Sequence, residues 1–294
     1  MAAGTMRSFN GLPSVVPAFA RVLLGRKPYT APPATVITPV HLEVRRVMLR
    51  AGHLQRYREI CGAPQQPHLP PAYLHLVAMP LHMQLFIAQG FPVKVLGLIH
   101  VRNSIRVFDY IDLSAPLRLL VEFNTMRLTD AGQEYDYTTR YERDGQLVWE
   151  EVSTMFARGT SVSKESGKRP GVERSAHPAD ATDTQSLEIA SNTGWRYARV
   201  SGDFNPIHMT ARTAAMYGFK QAVAHGMWSM GRCLGAAATQ LPTHPIQIDA
   251  QFKLPVYLPS KVLVHTWSVE AGSNISMCTP RGDRLHLAVQ VRQL

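Results

Sequence analysis

Apolar and polar residues alternate with a period of two over several stretches of this chain, and this pattern favours β-strands. The predicted strands are His41–Leu49, Gly97–Val107, Leu117–Leu128, Glu134–Arg143, Leu147–Ala157, Gln185–Ala190, Ile246–Leu254, Lys261–Glu270, Ile275–Thr279 and Leu285–Val291. The predicted turns between strands are Asp130–Gln133, Arg143–Gln146 and Arg281–Asp283.

Two segments, Met79–Gln89 and Gly226–Thr239, are instead apolar on nearly all sides, which favours buried helices. Gly52–Cys61 and Thr193–Val200 are predicted as short helices. A long apolar helix followed by a curved antiparallel sheet indicates an α+β fold in which the sheet wraps around the helix.

The order of these elements occurs twice. Arg56–Gly62 resembles Arg196–Gly202 at an offset of 140 residues, and each copy is followed by a long helix and several strands. We therefore predict a duplication, with an N-terminal repeat over residues 36–158 and a C-terminal repeat over residues 184–294.

The remaining segments have the composition of connections. Residues 1–35 are rich in proline and small residues and are predicted to be an irregular lead-in. Residues 159–183 have almost no large apolar side chain, which predicts a linker, and the basic run within it is expected to be solvated.

Composition narrows the classes of function. Among 294 residues, 45% are hydrophobic and 18% are charged, as in globular domains, and the net charge of +10 favours an anionic partner. The basic residues are mostly scattered and no nucleic-acid motif accompanies them, so we expect no nucleic-acid partner. A phosphorylated handle such as that of coenzyme A suits the charge equally well.

The spacing of the cysteines and the length of the apolar runs predict the cellular compartment of the protein. Cys61, Cys233 and Cys278 match neither a zinc site nor a disulfide framework, so we expect a reducing, cytoplasmic setting and no bound metal. We predict no transmembrane helix, because the chain has no run of eighteen apolar residues, and no signal peptide. Trp195 and Trp228 are expected in the core rather than in the lining of an acyl pocket, because tryptophan is on average highly buried.

The segment Ser201–His208 holds the candidate chemistry. Asp203 and His208 are five residues apart, so on a regular helix they would point about 140° away from each other. Pro206 opposes a continuous helix, which predicts a turn or a short broken helix instead. Such a loop can bring a carboxylate and an imidazole to one point, as proton transfer requires.

Gly226 is the second candidate, at the predicted start of the second apolar helix. The first N–H groups of a helix have no intrahelical acceptor and carry a partial positive charge. A glycine there lets a substrate carbonyl approach the backbone closely, although the same glycine also suits close packing or a turn.

The N-terminal repeat lacks these groups. The offset of 140 places Ala63, Gln65 and His68 opposite Asp203, Asn205 and His208, and an offset of 146 places Met79-Pro80 opposite His225-Gly226. Because proline has no N–H, we predict no equivalent donor in that half. The prediction is one active site per chain, in the C-terminal repeat, with the N-terminal repeat as a partner and a substrate wall.

Residues 195–240 resemble the MaoC-like hydratases, the (R)-specific enoyl-CoA hydratases. The resemblance rests on Tyr197, Ser201-Gly202-Asp203, Asn205-Pro206, His208, Ala214, Gly218-Phe219 and His225-Gly226-Met227. It implies a hot-dog fold, here a double hot dog, with Asp203 and His208 as the catalytic pair and the Gly226 N–H as oxyanion donor. Asn205, Ser201 and His225 are expected in supporting roles.

The activity implied by the resemblance is reversible hydration of trans-2-enoyl thioesters to (R)-3-hydroxyacyl thioesters. We expect His208 to act as base on water, with Asp203 orienting that water and returning the proton. The substrate carries coenzyme A or an acyl carrier protein, and no further cofactor is expected. A thioesterase on the same fold and a non-catalytic acyl-thioester binding module are the alternatives, and either a monomer or a homodimer is compatible with a double hot dog.

Overall fold

The computed structural model describes residues 5–25, 38–158, 181, 183–242, 244–270 and 272–294. Most of the predicted linker lies outside the described residues. The described residues fall into two compact units. The first unit takes its residues from Met1–Leu49, Val77–Asn103 and Leu113–Arg169, and the second from Arg50–Leu76, Ser104–Asp112 and Pro170–Leu294.

The elements follow the predicted order. The strands are β1 Thr5–Phe9, β2 Val40–Val47, β3 Ile99–Val107, β4 Leu117–Thr129, β5 Gly132–Arg143, β6 Gln146–Arg158, β7 Asp183–Ile189, β8 Ile246–Phe252, β9 Ser260–Val269, β10 Gly272–Cys278 and β11 Leu285–Gln293. The helices are α1 Val15–Leu24, α2 Ala51–Cys61, α3 Tyr73–Ile87, α4 Thr193–Ser201, α5 Ala211–Ala215 and α6 Gly226–Ala236. Every predicted strand and turn is present, with ends shifted by a few residues at most.

Strand order confirms the duplication. The strands of the N-terminal repeat lie in the order β2-β4-β5-β6-β3, and those of the C-terminal repeat in the order β7-β9-β10-β11-β8. When the strands of each repeat are counted along the chain, the first strand pairs with the third, and the second lies next to the fifth. The pairs β2–β4, β4–β5 and β5–β6 are antiparallel, and so are the pairs among β7 to β11. The α+β, double hot-dog arrangement predicted from the sequence is confirmed.

Helix α6 is tightly enclosed in the second unit. It packs against β10 and β11 on one side and α2 on another. A Cβ added at Gly231 would lie 2.8 Å from both the Cys61 Sγ and the Tyr57 hydroxyl oxygen, and one at Gly235 would lie 2.8 Å from the Cys61 carbonyl oxygen. Glycine at these two positions lets α2 and α6 approach closely.

The start of the first long helix was predicted wrongly. Helix α3 begins at Tyr73 rather than Met79, and Pro80 lies inside it. Pro80 costs one backbone hydrogen bond, but the neighbouring Leu76, Ala78 and Leu81 are buried, and this burial offsets the loss. Met79-Pro80 therefore does not correspond to the helix start at His225-Gly226, and a missing proline N–H is not what distinguishes the two repeats.

The lead-in prediction was also wrong over its described part. Strand β1 pairs in parallel with β2, from Thr5 opposite Val40 to Phe9 opposite Val44. Helix α1 is capped by Ser14, whose Oγ accepts a hydrogen bond from the Val16 N–H. Pro17 occurs in the first turn of α1, where the absent N–H has no intrahelical partner to lose. Residues 26–35 of the lead-in lie outside the described residues.

None of the described helices has both the length and the apolar character needed to cross a membrane.

Candidate active site

The catalytic loop begins where α4 ends. Gly202 follows the helix with φ of 78°, a left-handed conformation that glycine adopts at little cost, and the chain reverses there. The Asp203 N–H donates to the Ser201 Oγ at 3.2 Å, and Asp203 Oδ1 accepts from the Asn205 N–H at 3.0 Å. The Asn205 Oδ1 in turn caps the short 3-10 helix Pro206–His208 by accepting from the Ile207 N–H. These bonds fix the loop in the broken-helix form that was predicted.

The His208 ring is oriented by a backbone carbonyl. Its Nδ1 lies 2.6 Å from the Val223 carbonyl oxygen. Because a carbonyl oxygen only accepts, Nδ1 carries the hydrogen and Nε2 is left with a lone pair. Val223 is itself held in place, since its N–H donates to the Ile207 carbonyl and it forms a β-bridge with Tyr257.

His225 links the loop to the start of α6. Its Nε2 donates to the Asp203 carbonyl oxygen at 2.9 Å and lies 3.8 Å from Asp203 Oδ2. Its ring stacks on that of His208 with 3.7 Å between centroids and lies 4.8 Å from that of Tyr197. His225 thus makes the structural hydrogen bond expected of a supporting residue.

Asp203, His208 and His225 form one cluster of chemical groups. One carboxylate oxygen and one nitrogen from each ring lie within 4.8 Å of one another. Such a set can hold a metal ion, because a ring that bonds one nitrogen to a backbone carbonyl still has the other nitrogen as a ligand. The expectation that this cluster binds no metal stays a prediction.

Burial sets the protonation of the cluster. Burial lowers the pKa of His208, and the opposing effects of the Asp203 carboxylate and the Val223 carbonyl do not restore it. Burial, together with His208, lowers the pKa of His225 to about 3. Burial opposes ionisation of Asp203, but the two imidazoles and the Asn205 N–H outweigh it and lower the pKa of the carboxyl. At neutral pH the site holds an ionised carboxylate and two neutral imidazoles.

Gly226 is the first residue of α6, with His225 as its N-cap. Its N–H therefore has no acceptor within the helix. A Cβ added at Gly226 would lie 3.1 Å from Cε1 of Phe252, so the ring of Phe252 closes the space beside this backbone.

Comparison with known proteins shows what the C-terminal repeat is similar to. Residues 173–281 match the family model described as the MaoC like domain. The chain is 25% identical, over 252 residues, to 3-hydroxyacyl-thioester dehydratase X of Mycobacterium tuberculosis, a match that covers 85% of this chain and 88% of that protein. Residues 173–281 are therefore similar to a MaoC-like dehydratase domain.

A second relative and the crystal structure of the first one agree with this similarity. Enoyl-CoA hydratase ChsH3 of M. tuberculosis is 25% identical over 186 residues, covering 60% of this chain and 63% of that protein. The crystal structure of HtdX from M. tuberculosis superposes with a TM-score of 0.74, covering 86% of this chain and 100% of that one, at 22% identity. The structural likeness supports the hot-dog fold. All the site residues predicted from the sequence lie within the MaoC-like domain.

Outside the MaoC-like match, α2 also supports the loop. His53 accepts a hydrogen bond from the Tyr73 hydroxyl at Nδ1, and its Nε2–H donates to the Val200 carbonyl at 2.8 Å. His75, buried in the same compact unit, also helps to lower the pKa of Asp203. Sequence analysis identified neither histidine, because both lie in the repeat that lacks the candidate carboxylate.

Gly194, in the MaoC-like domain, is a positioning residue that sequence analysis missed. A Cβ there would lie 1.9 Å from the His208 carbonyl oxygen, a contact that cannot exist without a backbone shift.

We expect Gly194→Ala to displace His208 and to destabilise the fold by about 1–3 kcal/mol, in the range of other overpacking substitutions. Denaturant unfolding and hydratase rates of the folded fraction measure the two effects. Ala198→Gly on the same helix controls for helix propensity, and equal stability of Gly194→Ala and wild type would contradict the expectation.

The two tryptophans differ. Trp228 is buried, and its Nε1 donates to the Ile60 carbonyl at 3.0 Å, as expected for a core residue. Trp195 is 43% exposed, so its predicted core position is wrong. The reason is the orientation of α4, which buries Gly194, Tyr197 and Ala198 and turns Trp195 outward.

Proposed function

We propose that this chain catalyses the reversible hydration of trans-2-enoyl thioesters to (R)-3-hydroxyacyl thioesters. The observation that carries the proposal is the tautomer of His208, whose bonded Nδ1 leaves Nε2 with a lone pair. A ring nitrogen of His208 lies within 4.8 Å of an Asp203 carboxylate oxygen. The names of the relatives, a 3-hydroxyacyl-thioester dehydratase and an enoyl-CoA hydratase, support the same reaction.

The proposed roles follow from the protonation of the site. His208 Nε2 takes a proton from a water held by the Asp203 carboxylate, and the hydroxyl adds to C3 of the enoyl group. The proton then passes from His208 to the Asp203 carboxylate and from there to C2. One water is consumed, and its hydroxyl group and its proton are both in the product. General acid–base help of this kind is typically worth about 10²–10⁴-fold in rate.

The Gly226 N–H is the proposed donor to the thioester carbonyl. As the electrons of the C2–C3 double bond move, negative charge develops on this oxygen. A fixed N–H at a helix start stabilises that charge, which in oxyanion holes is worth about 3–4 kcal/mol. The proposed reaction needs no cofactor other than the coenzyme A or carrier-protein part of the substrate.

An assay with trans-2-enoyl-CoA tests this function. We expect loss of the conjugated thioester absorbance without release of free thiol, and a 3-hydroxyacyl product of R configuration by chiral chromatography. Release of free thiol would instead identify a thioesterase. Binding without any turnover would identify a non-catalytic acyl-thioester module.

A further inference from the structure

An exposed aromatic pair lies beside the catalytic loop. Trp195 is 43% exposed on α4, and its ring lies 6.3 Å from that of Phe204, in a T-shaped arrangement. Phe204 is the residue directly after Asp203. An indole that reaches solvent at this place offers a flat surface to a planar group of a bound ligand.

Two arginines share this surface of α4. Arg196 and Arg199 are exposed, and within the described part of the chain no acidic side chain pairs with either of them. Some other arginines are already occupied, since Arg102, Arg118, Arg127 and Arg140 are each bonded to one or two carboxylates. The α4 arginines are therefore available for an external anion.

Helix α2 adds further positive charge. His53 on α2 is bonded to the Val200 carbonyl on α4, so these helices are neighbours. Arg50 and Arg56 are both exposed and lie close enough to His53 to oppose its protonation. We call Trp195, Arg196, Arg199, Arg50 and Arg56 the α4 rim.

We propose that the α4 rim binds the nucleotide part of coenzyme A, with the adenine on Trp195 and the phosphates on Arg196 and Arg199. This inference rests on the proposed function and assigns the thioester carrier. Arginine binds phosphate in a bidentate manner, and the indole stacks on a purine. One exposed indole with a few cations suits a nucleotide, whereas a protein partner usually buries about 800 Å² on each side.

The test compares two substrates that share one enoyl group, an enoyl-CoA and an enoyl-pantetheine that lacks the nucleotide. We expect Trp195→Ala to raise KM for enoyl-CoA about tenfold, and Arg196→Ala/Arg199→Ala to raise it about 10- to 100-fold, with kcat unchanged. Neither variant should change the kinetics on enoyl-pantetheine. Trp195→Phe, which keeps an aromatic face, should restore most of the affinity.

Arg281→Ala/Arg284→Ala on the β10–β11 turn is the matched control, because it removes the same charge from exposed positions elsewhere in the second unit. An unchanged KM for enoyl-CoA in the rim variants, or equal losses on both substrates, overturns the inference. So does a loss confined to a carrier-protein thioester, which would make the rim a protein-docking surface.

Calorimetric titration with free coenzyme A separates this inference from the proposed function. One outcome is that the wild type binds coenzyme A, that the rim variants bind it at least tenfold more weakly, and that no hydration occurs. In that case the proposed reaction is wrong and the nucleotide site is supported. If hydration occurs and the rim variants bind coenzyme A as the wild type does, the nucleotide site fails alone.

Discussion

Asp203→Asn and His208→Ala are each expected to lower kcat/KM for enoyl-CoA hydration by about 10²–10⁴-fold. The first removes the carboxylate that holds the water, and the second removes the base. Steady-state rates measured from the loss of conjugated thioester absorbance check this. Far-ultraviolet circular dichroism should show that both variants fold, since neither substitution enlarges a side chain.

The degenerate repeat supplies a matched control. His68 is the counterpart of His208, but Ala63 stands where a carboxylate would be needed. We therefore expect His68→Ala to keep the rate within about twofold of the wild type, because it contributes no acid–base group. Equal losses in His68→Ala and His208→Ala, or no loss in either, would contradict the assigned site.

The pH profile gives a second measurement on the same variants. Hydration needs His208 neutral, and burial lowers its pKa, so the acid limb of kcat/KM should lie below the usual histidine range. The Asp203 carboxylate raises the pKa of His208. Its removal in Asp203→Asn should therefore move the acid limb to still lower pH. A move to higher pH would show that His208 is not the group that titrates.

Gly226→Pro is expected to lower kcat by about 10²–10³-fold, the cost of losing one oxyanion-hole donor. Proline is well suited to this position structurally, because it is common at the first residue of a helix and has no N–H. The preceding His225 has φ of −63° and ψ of 138°, an extended conformation that proline tolerates in the residue before it. The measurement is kcat on enoyl-CoA together with the melting temperature.

Gly226→Ala is the control for this substitution. Alanine keeps the N–H and adds the Cβ, which meets the Phe252 ring at 3.1 Å. Any loss in the alanine variant reports crowding, and the further loss in the proline variant reports the donor. Equal rates in the two variants would remove the Gly226 N–H from the mechanism.

Short-range patterns were sufficient for most of the fold. The strands from β2 to β11 and the helices α2, α4 and α6 follow from periodicity and turn residues, which depend on neighbours in sequence. Two of the errors have long-range causes. Helix α3 continues through Pro80 because its surroundings are apolar, and β1 forms because β2 offers it an edge.

The sequence suggested the candidate groups of the site but not how they are arranged. Asp203, His208 and Gly226 were identified from residue types and spacing, and they occur on one loop and one helix start. The Val223 carbonyl, Gly194, His53 and His75 gave no sequence signal. Each contacts or influences the loop from another segment, so only the folded chain reveals it.

The sequence by itself determined three features. They are the duplicated α+β fold, which repeat contains the carboxylate, and the presence of a glycine at the start of α6. The tertiary structure alone decided which nitrogen of His208 keeps a lone pair, that burial lowers the pKa of both histidines, and that Trp195 faces solvent. The physical reason is that spacing along the chain specifies which groups exist. Protonation and orientation depend on burial and on hydrogen bonds from distant segments.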